Sequence, residues 1–206
     1  MIHALLDGRK TMTRRLAWFH LEEKPSGCMS SSVRPSPWQK VKPGDRLWVR
    51  ERTKCIAIRG DEIKVRYDAD GYEPGVWLPF PPRLRFTPRV GEHLSMGCYL
   101  EASRITLDVS ATKIERLQHI SEADAIAEGI EREHGPRGEL GWKSYETYPD
   151  GTPHPHAVAA NRFAIISFRE LWQSLHGHDS WAENPEVVAL TFTVHRCNID
   201  AMPKAA

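Results

Sequence analysis

The strongest constraint on this chain is a two-residue rhythm of apolar and polar side chains that recurs in short runs. Arg46-Leu47-Trp48-Val49-Arg50-Glu51 alternates directly after the turn signal Lys42-Pro43-Gly44-Asp45. Glu62-Ile63-Lys64-Val65-Arg66-Tyr67 alternates again, up to the turn around Asp70-Gly71. Between Arg104 and Val109 the apolar positions are Ile105, Leu107 and Val109, and Lys113 to Leu117 reads as the continuation or the partner of that strand. Val187 to Val194 reads as a last strand. A period of two turns one side of each segment to a core and leaves the other wet, which marks half-buried strands. Helical periodicity is scarcer. Phe168, Leu171, Trp172 and Leu175 fall at i, i+3, i+4 and i+7 and predict an amphipathic helix from Ser167 to Gly177. Ser121-Glu122-Ala123-Asp124 has capping-box form ahead of the face Ala123, Ile126, Ala127, Ile130, with Gly129 ending the helix early. Residues 1 to 7 suggest a short helix stopped by Gly8. Short strands with few helices predict an α+β chain, a small mixed β-barrel closed by helices.

Proline, glycine and serine mark what lies between. Residues 21 to 40 read as loop, Pro79 to Arg89 as an extended basic surface loop, and 131 to 160 as a long insertion, either a lid or a mobile loop. A length of 206 residues, with 40% hydrophobic and 27% charged, suits one globular domain over about 1–200 rather than a disordered chain. Net charge is +1, so any basic footprint must be local. Cys28, Cys55, Cys98 and Cys197 form no CxxC pair, which argues for reduced thiols in a cytoplasmic compartment. No stretch approaches the ~20 apolar residues of a membrane span. Asp7 and Arg9 arrive too soon for a signal segment.

Four segments, in order, carry chemistry as well as fold. They are Gly8-Arg9-Lys10-Thr11-Met12-Thr13-Arg14-Arg15, the Lys42-Pro43-Gly44-Asp45 turn, Ile120-Ser121-Glu122-Ala123-Asp124-Ala125-Ile126-Ala127-Glu128-Gly129, and the Phe168-to-Trp172 helix. Together they resemble the ASCH family, and in detail its longer members from phages and prophages. Residues 18–38, 72–98 and 131–160 stand outside the likeness as insertions. The resemblance implies a PUA-like barrel with a cleft where the first motif meets the later helix. It also implies the family's small amidohydrolases, which remove the acyl group from N4-acetylcytidine. Carried over position by position, their working lysine, threonine and glutamate fall on Lys10, Thr13 and Glu128, and Arg15 matches the motif's terminal arginine. This chain is much longer than that branch, so the pocket walls are its own.

The chemistry of those residues can be read independently. Hydrolysing an amide on the exocyclic nitrogen of cytosine needs a nucleophile, a proton acceptor and a proton donor for the leaving amine. Thr13 offers a hydroxyl, which either attacks or positions a water. Lys10 could activate it if burial or the neighbouring Arg9, Arg14 and Arg15 depress the ammonium pKa; the plainer alternative is an ammonium paired with an acid or a phosphate. Glu128 in the last turn of a helix faces the negative end of the dipole, unfavourable by about 0.3–1 kcal/mol. Partial burial would raise its pKa toward acid–base use; the alternative is an exposed glutamate.

Arg9, Arg14, Arg15, Trp77, Phe80, Arg83 and Arg85 are candidate substrate-binding residues, since basic and aromatic side chains hold phosphates and stack on bases. For Trp77 to Arg89 the favoured reading is nonetheless a proline-stiffened loop packed on the barrel. Trp48, Phe168 and Trp172 are expected in the core, and His176 and His178 at a helix end as cap or surface residues. His154 and His156 flank Pro155 without a third ligand, so no metal is expected, and no cofactor. Three functions remain: amidohydrolase on N4-acylated cytosine nucleosides or related bases, non-catalytic RNA- or nucleotide-binding module, and ribonuclease. The expected partner is a modified pyrimidine nucleoside or RNA, not a membrane, and the expected state a monomer.

Overall fold

The computed structural model of the chain describes residues 1–20, 33–71, 74–80, 89–94, 100–136, 138–148, 152 and 160–203. In chain order the first elements are α1 (Ile2–Leu6), β1 (Met12–Leu16), β2 (Trp18–His20), β3 (Val33–Pro35), β4 (Arg46–Trp48) and β5 (Thr53–Arg59). Next come β6 (Glu62–Tyr67), β7 (Val76–Pro79), β8 (Thr106–Arg116) and α2 (Glu122–Ala127). The last are β9 (Arg132–Gly135), β10 (Gly138–Trp142), α3 (Ala164–His176) and β11 (Glu186–His195). The chain is therefore mixed α+β, mostly strands with few helices. Among the described residues no helix is long and apolar enough to cross a membrane. Backbone contacts divide it into two compact units, the first mainly His3–Gly44 with Val109–Phe192, the second mainly Asp45–Asp108 with Thr193–Ala206.

In the first unit β1 pairs antiparallel with β11, from Met12 opposite Thr191 to Leu16 opposite Val187. Within this unit the strands follow the order β1-β11-β8. Val187 to Leu190 are all buried, a continuous apolar run rather than an alternating one, as expected of a strand covered on both faces. The two segments expected at 104–109 and 113–117 join into the single long strand β8. Ser121 caps α2 by accepting a hydrogen bond from the Asp124 amide at 3.1 Å. Phe163, which precedes α3, supplies no side-chain cap. The Glu122 carboxylate of α2 takes that role, accepting from the amides of Ala164 (2.6 Å) and Ile165 (3.2 Å). An acid at a helix N-terminus is favourable for the dipole as well. The core gathers Leu117, Ile120, Ala125, Ile130, Phe168, Trp172 and Val187. Leu175, expected on the same face, is 59% exposed because it lies in the last turn of α3.

The stretch 131–160 differs from its expected form as a loop insertion. Its first part is the hairpin β9–β10, and Trp142 at the end of β10 is buried in the core. The glycines that suggest a loop are what the hairpin needs: Gly138 (φ +116) and Gly141 (φ +138) hold backbone that a side chain would strain. A Cβ on Gly141 would also lie 2.6 Å from the Asn161 carbonyl oxygen.

In the second unit β5, β6 and β7 form an antiparallel meander. Cys55, Ile63, Val65 and Tyr67 face its core with Leu94 and Ala102. β4 pairs with the start of β8, Leu47 opposite Leu107. Arg104 clamps this unit: it is bound to Glu51 (2.8 Å) and Asp70 (2.7 Å) and stacks over the Tyr67 ring at 4.0 Å.

Candidate functional site

The first motif is held where the backbone of three elements meets. Lys10 donates its amide to Ala4 of α1 at 2.9 Å, and Thr11 donates to the Ala127 carbonyl of α2 at 2.8 Å. Phe192 of β11 donates to the Thr11 carbonyl at 2.9 Å. Lys10 and Glu128 thereby form an isolated antiparallel bridge, so two residues more than a hundred positions apart in sequence are placed side by side by their backbones.

Their side chains close the same contact. The Lys10 Nζ donates to Glu128 Oε2 at 2.6 Å and to the Glu128 carbonyl at 2.9 Å, with both residues buried. This resolves the dipole problem of a glutamate at a helix C-terminus: Lys10 brings the cation that position favours. Desolvation by burial holds the Lys10 ammonium below its ordinary range; the Glu128 carboxylate opposes that shift, and Arg15 and Arg14 add to it.

Gly129, directly after, has φ +84, and a Cβ there would lie 2.8 Å from the Lys10 Cβ and 3.0 Å from the Ala4 Cβ. Gly129→Ala is therefore expected to destabilise the protein by about 1–3 kcal/mol, from left-handed strain plus collision with backbone-anchored carbons. A urea unfolding midpoint measures it.

The Arg14 side chain is fully buried and meets three carboxylates: Glu115 at 2.8 Å, Asp124 at 2.8 Å and Glu128 at 3.3 Å. Lys113 joins Glu115 (3.2 Å) and Asp124 (3.3 Å) from the solvent side. The three cations Lys10, Arg14 and Lys113 thus balance three carboxylates in one chain of contacts. Burial alone would push the Asp124 carboxyl up, but Lys113 and Arg14 outweigh it and hold the group below its usual range.

A cavity of about 210 Å³ opens on this cluster, and Lys10, Thr13, Arg14, Arg15 and Glu128 all line it. The rest of its wall is largely apolar and comes from α3, through Phe168, Leu171, Trp172 and Leu175. His176 lies in the last turn of α3 as an exposed residue, in keeping with the surface position expected of it. Its ring also stacks on Trp172 with centroids 4.1 Å apart, and it lines the cavity. Tyr145 also lines the cavity, from the stretch expected as an insertion. It is positioned by α3: its amide and the Ser144 hydroxyl both donate to Glu170, at 2.9 and 3.0 Å. Its own hydroxyl accepts from the Glu131 amide at 3.4 Å.

The remaining candidates divide. Arg15 is partly buried, with its guanidinium 5.6 Å from the Trp38 ring, and burial lowers its pKa while Glu128 opposes the shift. Arg9 stands outside the cavity, donating to Gly129 O (3.2 Å) and to Asp7 (3.0 Å). Trp77 and Phe80 belong to the second unit, where Phe80 packs on that unit's core. Arg83 and Arg85 lie outside the described residues, as do His154 and His156. Among the described residues no cluster of His, Cys, Asp or Glu has the arrangement to hold a metal ion. Sequence reasoning missed Tyr145 and the cavity-facing role of His176. For His176 a signal existed, because it sits four residues after Trp172 on one helical face. Comparison with protein-family models, with curated proteins and with solved structures finds no match for this chain.

Proposed function

We propose that this chain is an ASCH-type, PUA-like protein whose first-unit cavity deacylates N4-acylated cytosine nucleosides or related modified bases. One observation carries the reading: the lysine, threonine and glutamate singled out by the motif line a single cavity, with Lys10 and Glu128 in 2.6 Å contact. The cavity volume corresponds to about seven waters at ~30 Å³ each, room for one pyrimidine ring rather than a helix of nucleic acid. Its aromatic wall suits the flat ring, and its ionic end suits an amide whose carbonyl becomes an oxyanion.

The reaction balances with the groups present. An oxygen nucleophile adds to the acyl carbon, its proton passes to the Lys10–Glu128 pair, the carbon–nitrogen bond breaks, and the proton goes to the departing N4 amine. Either the Thr13 hydroxyl attacks first and the acyl-enzyme is then hydrolysed, or Thr13 orients a water that attacks directly. Arg15, lining the cavity, offers a cation to the developing oxyanion. On both routes the products are the carboxylic acid and the free cytosine nucleoside.

Thr13→Ser is expected to retain part of the turnover of N4-acetylcytidine and Thr13→Val to lose it, measured as cytidine released. The pH profile follows from Lys10. Chemistry that needs its neutral amine rises as pH climbs through the lowered pKa, and so does so below the ordinary 10.5. The unfolded chain keeps that proton up to 10.5, so between the two values unfolding takes up a proton and stability also rises with pH. A profile of kcat/KM against pH with no rising limb below 10.5 would count against Lys10 as the base.

A further inference from the structure

Tyr145 is held more firmly than a residue that only fills space needs to be. It is half-buried, packs against the apolar core and lines the cavity. One carboxylate oxygen of Glu170, on α3, accepts from the Tyr145 amide (2.9 Å), the Ser144 hydroxyl (3.0 Å) and the Asn161 side-chain amide (2.9 Å). Asn161 is tied in turn to Trp142 by two backbone bonds, at 2.8 and 2.6 Å. At the far end of the ring the phenol oxygen accepts from the Glu131 amide at 3.4 Å. Backbone and tip are therefore both anchored, the condition for a side chain that must present one atom in one place. The hydroxyl also has a capacity that the fold leaves unused. A phenol can donate one proton as well as accept. Among the described residues the Tyr145 hydroxyl donates to no acceptor. Desolvation by burial raises its pKa above the ordinary 10.0, against the opposing Glu131 backbone contact, so the proton stays on the oxygen through neutral pH.

We infer that Tyr145 is the specificity-determining residue of this cavity, donating its hydroxyl proton to the C2 carbonyl oxygen of the bound pyrimidine. The inference rests on the deacylase reading for the ring that occupies the cavity. Lys10, Arg14 and Arg15 bring cations to the same wall, and these suit an oxygen on which charge develops. A neutral phenol suits an oxygen that stays neutral, as the ring carbonyl does while the acyl carbonyl is attacked. The choice of acceptor also gives the site a means of selection. Adenine can carry the same acylated exocyclic nitrogen beside a ring nitrogen, but it has a bare C–H where cytosine has the C2 carbonyl. An adenine ring would leave the phenol proton desolvated and unpaired. A site built to bond one polar group rejects an analogue lacking it far more strongly than a site that measures size alone.

The test is isothermal titration of the full chain and its Tyr145→Phe variant with cytidine and with 2-thiocytidine, in which a poorly accepting sulfur replaces the C2 oxygen. Wild type is expected to bind cytidine about 5-fold or more tighter than the thio analogue. Tyr145→Phe, which keeps the ring and removes only the hydroxyl, is expected to bind cytidine about 2- to 10-fold more weakly and to lose most of the difference between the two ligands. A purely structural role would weaken both ligands alike and leave their ratio in place. In turnover of N4-acetylcytidine the variant is expected to raise KM more than it lowers kcat. Thermal melts of both proteins separate a lost contact from a lost fold. The inference is overturned by absence of cytidine binding to wild type, by unchanged cytidine affinity in Tyr145→Phe, or by the same cytidine-to-thiocytidine ratio in both proteins. A fall in kcat with KM unchanged also overturns it, because the hydroxyl then serves the reacting carbonyl. Wild type that releases no acetate yet binds cytidine with the sulfur penalty overturns the deacylase reading and leaves this inference standing.

Discussion

Lys10→Met and Glu128→Gln are each expected to lower kcat/KM for N4-acetylcytidine by at least about a hundredfold while leaving the protein folded. General acid–base groups contribute on the order of 10²–10⁴ in rate, and here one proton path uses both residues, so the losses should not add in the double variant. The fold should survive because each change leaves the remaining partner satisfied. In Lys10→Met the Glu128 carboxylate still accepts from Arg14 at 3.3 Å, and the methionine stem fills the volume of the lysine. In Glu128→Gln the amide oxygen can still accept from Lys10, whose second bond to the Glu128 carbonyl is untouched. Removing one member of a buried pair commonly costs about 3–5 kcal/mol, and the shared network keeps these two substitutions below that. Steady-state kinetics beside a thermal melt separates the effects. A variant that melts like wild type and turns over like wild type would remove that residue from the mechanism.

Arg14→Met is expected to have the largest effect on stability. Its guanidinium touches Glu115, Asp124 and Glu128 together, and its side chain is wholly buried. Deleting it leaves three carboxylates crowded around a methionine, with Lys10 and Lys113 still in contact with them. A cost of about 3–5 kcal/mol follows, a fall in Tm on the order of 10 °C. The deficit has a definite pH dependence. Wild-type Asp124 has its folded pKa held below the ordinary value of 3.8 by Lys113 and Arg14, so its contribution is present above 3.8 and lost as pH falls through the folded value. The variant loses part of that contribution, so the gap between the two proteins is widest near neutrality and narrows in acid. Arg14→Lys keeps the charge but not the planar fork that reaches several acids at once, and should fall between. Melts of the three proteins across pH measure all of this.

Much of the fold was legible because it rests on local rules. The alternation of Glu62 to Tyr67 is the strand β6 with the same bounds, and the Ser121 cap and Gly129 stop delimit α2 as their chemistry requires. Two parts escaped for physical reasons. Strand β5 contains a register shift between Cys55 and Ala57, which sets apolar residues side by side and destroys the two-residue rhythm. The β9–β10 hairpin is punctuated by Gly135, Gly138 and Gly141, which read as loop until one sees that the turn and bulge need positive φ and that Trp142 is drawn into the core. At the candidate site the contrast is similar. Lys10, Thr13 and Glu128 stand out through a short motif and a helix end. The role of Arg14 depends on Glu115 and Asp124, partners about a hundred positions away that no periodicity connects to it.

One measurement bears most directly on the central claim that the ammonium, hydroxyl and carboxylate at this cavity hydrolyse an acylated cytosine. Purified wild-type chain and the Glu128→Gln variant are incubated with N4-acetylcytidine, and cytidine and acetate are quantified over time. The account predicts that wild type releases the two products in equal amounts over many turnovers and that the variant releases neither above background. No release by wild type, or equal release by both proteins, would contradict it.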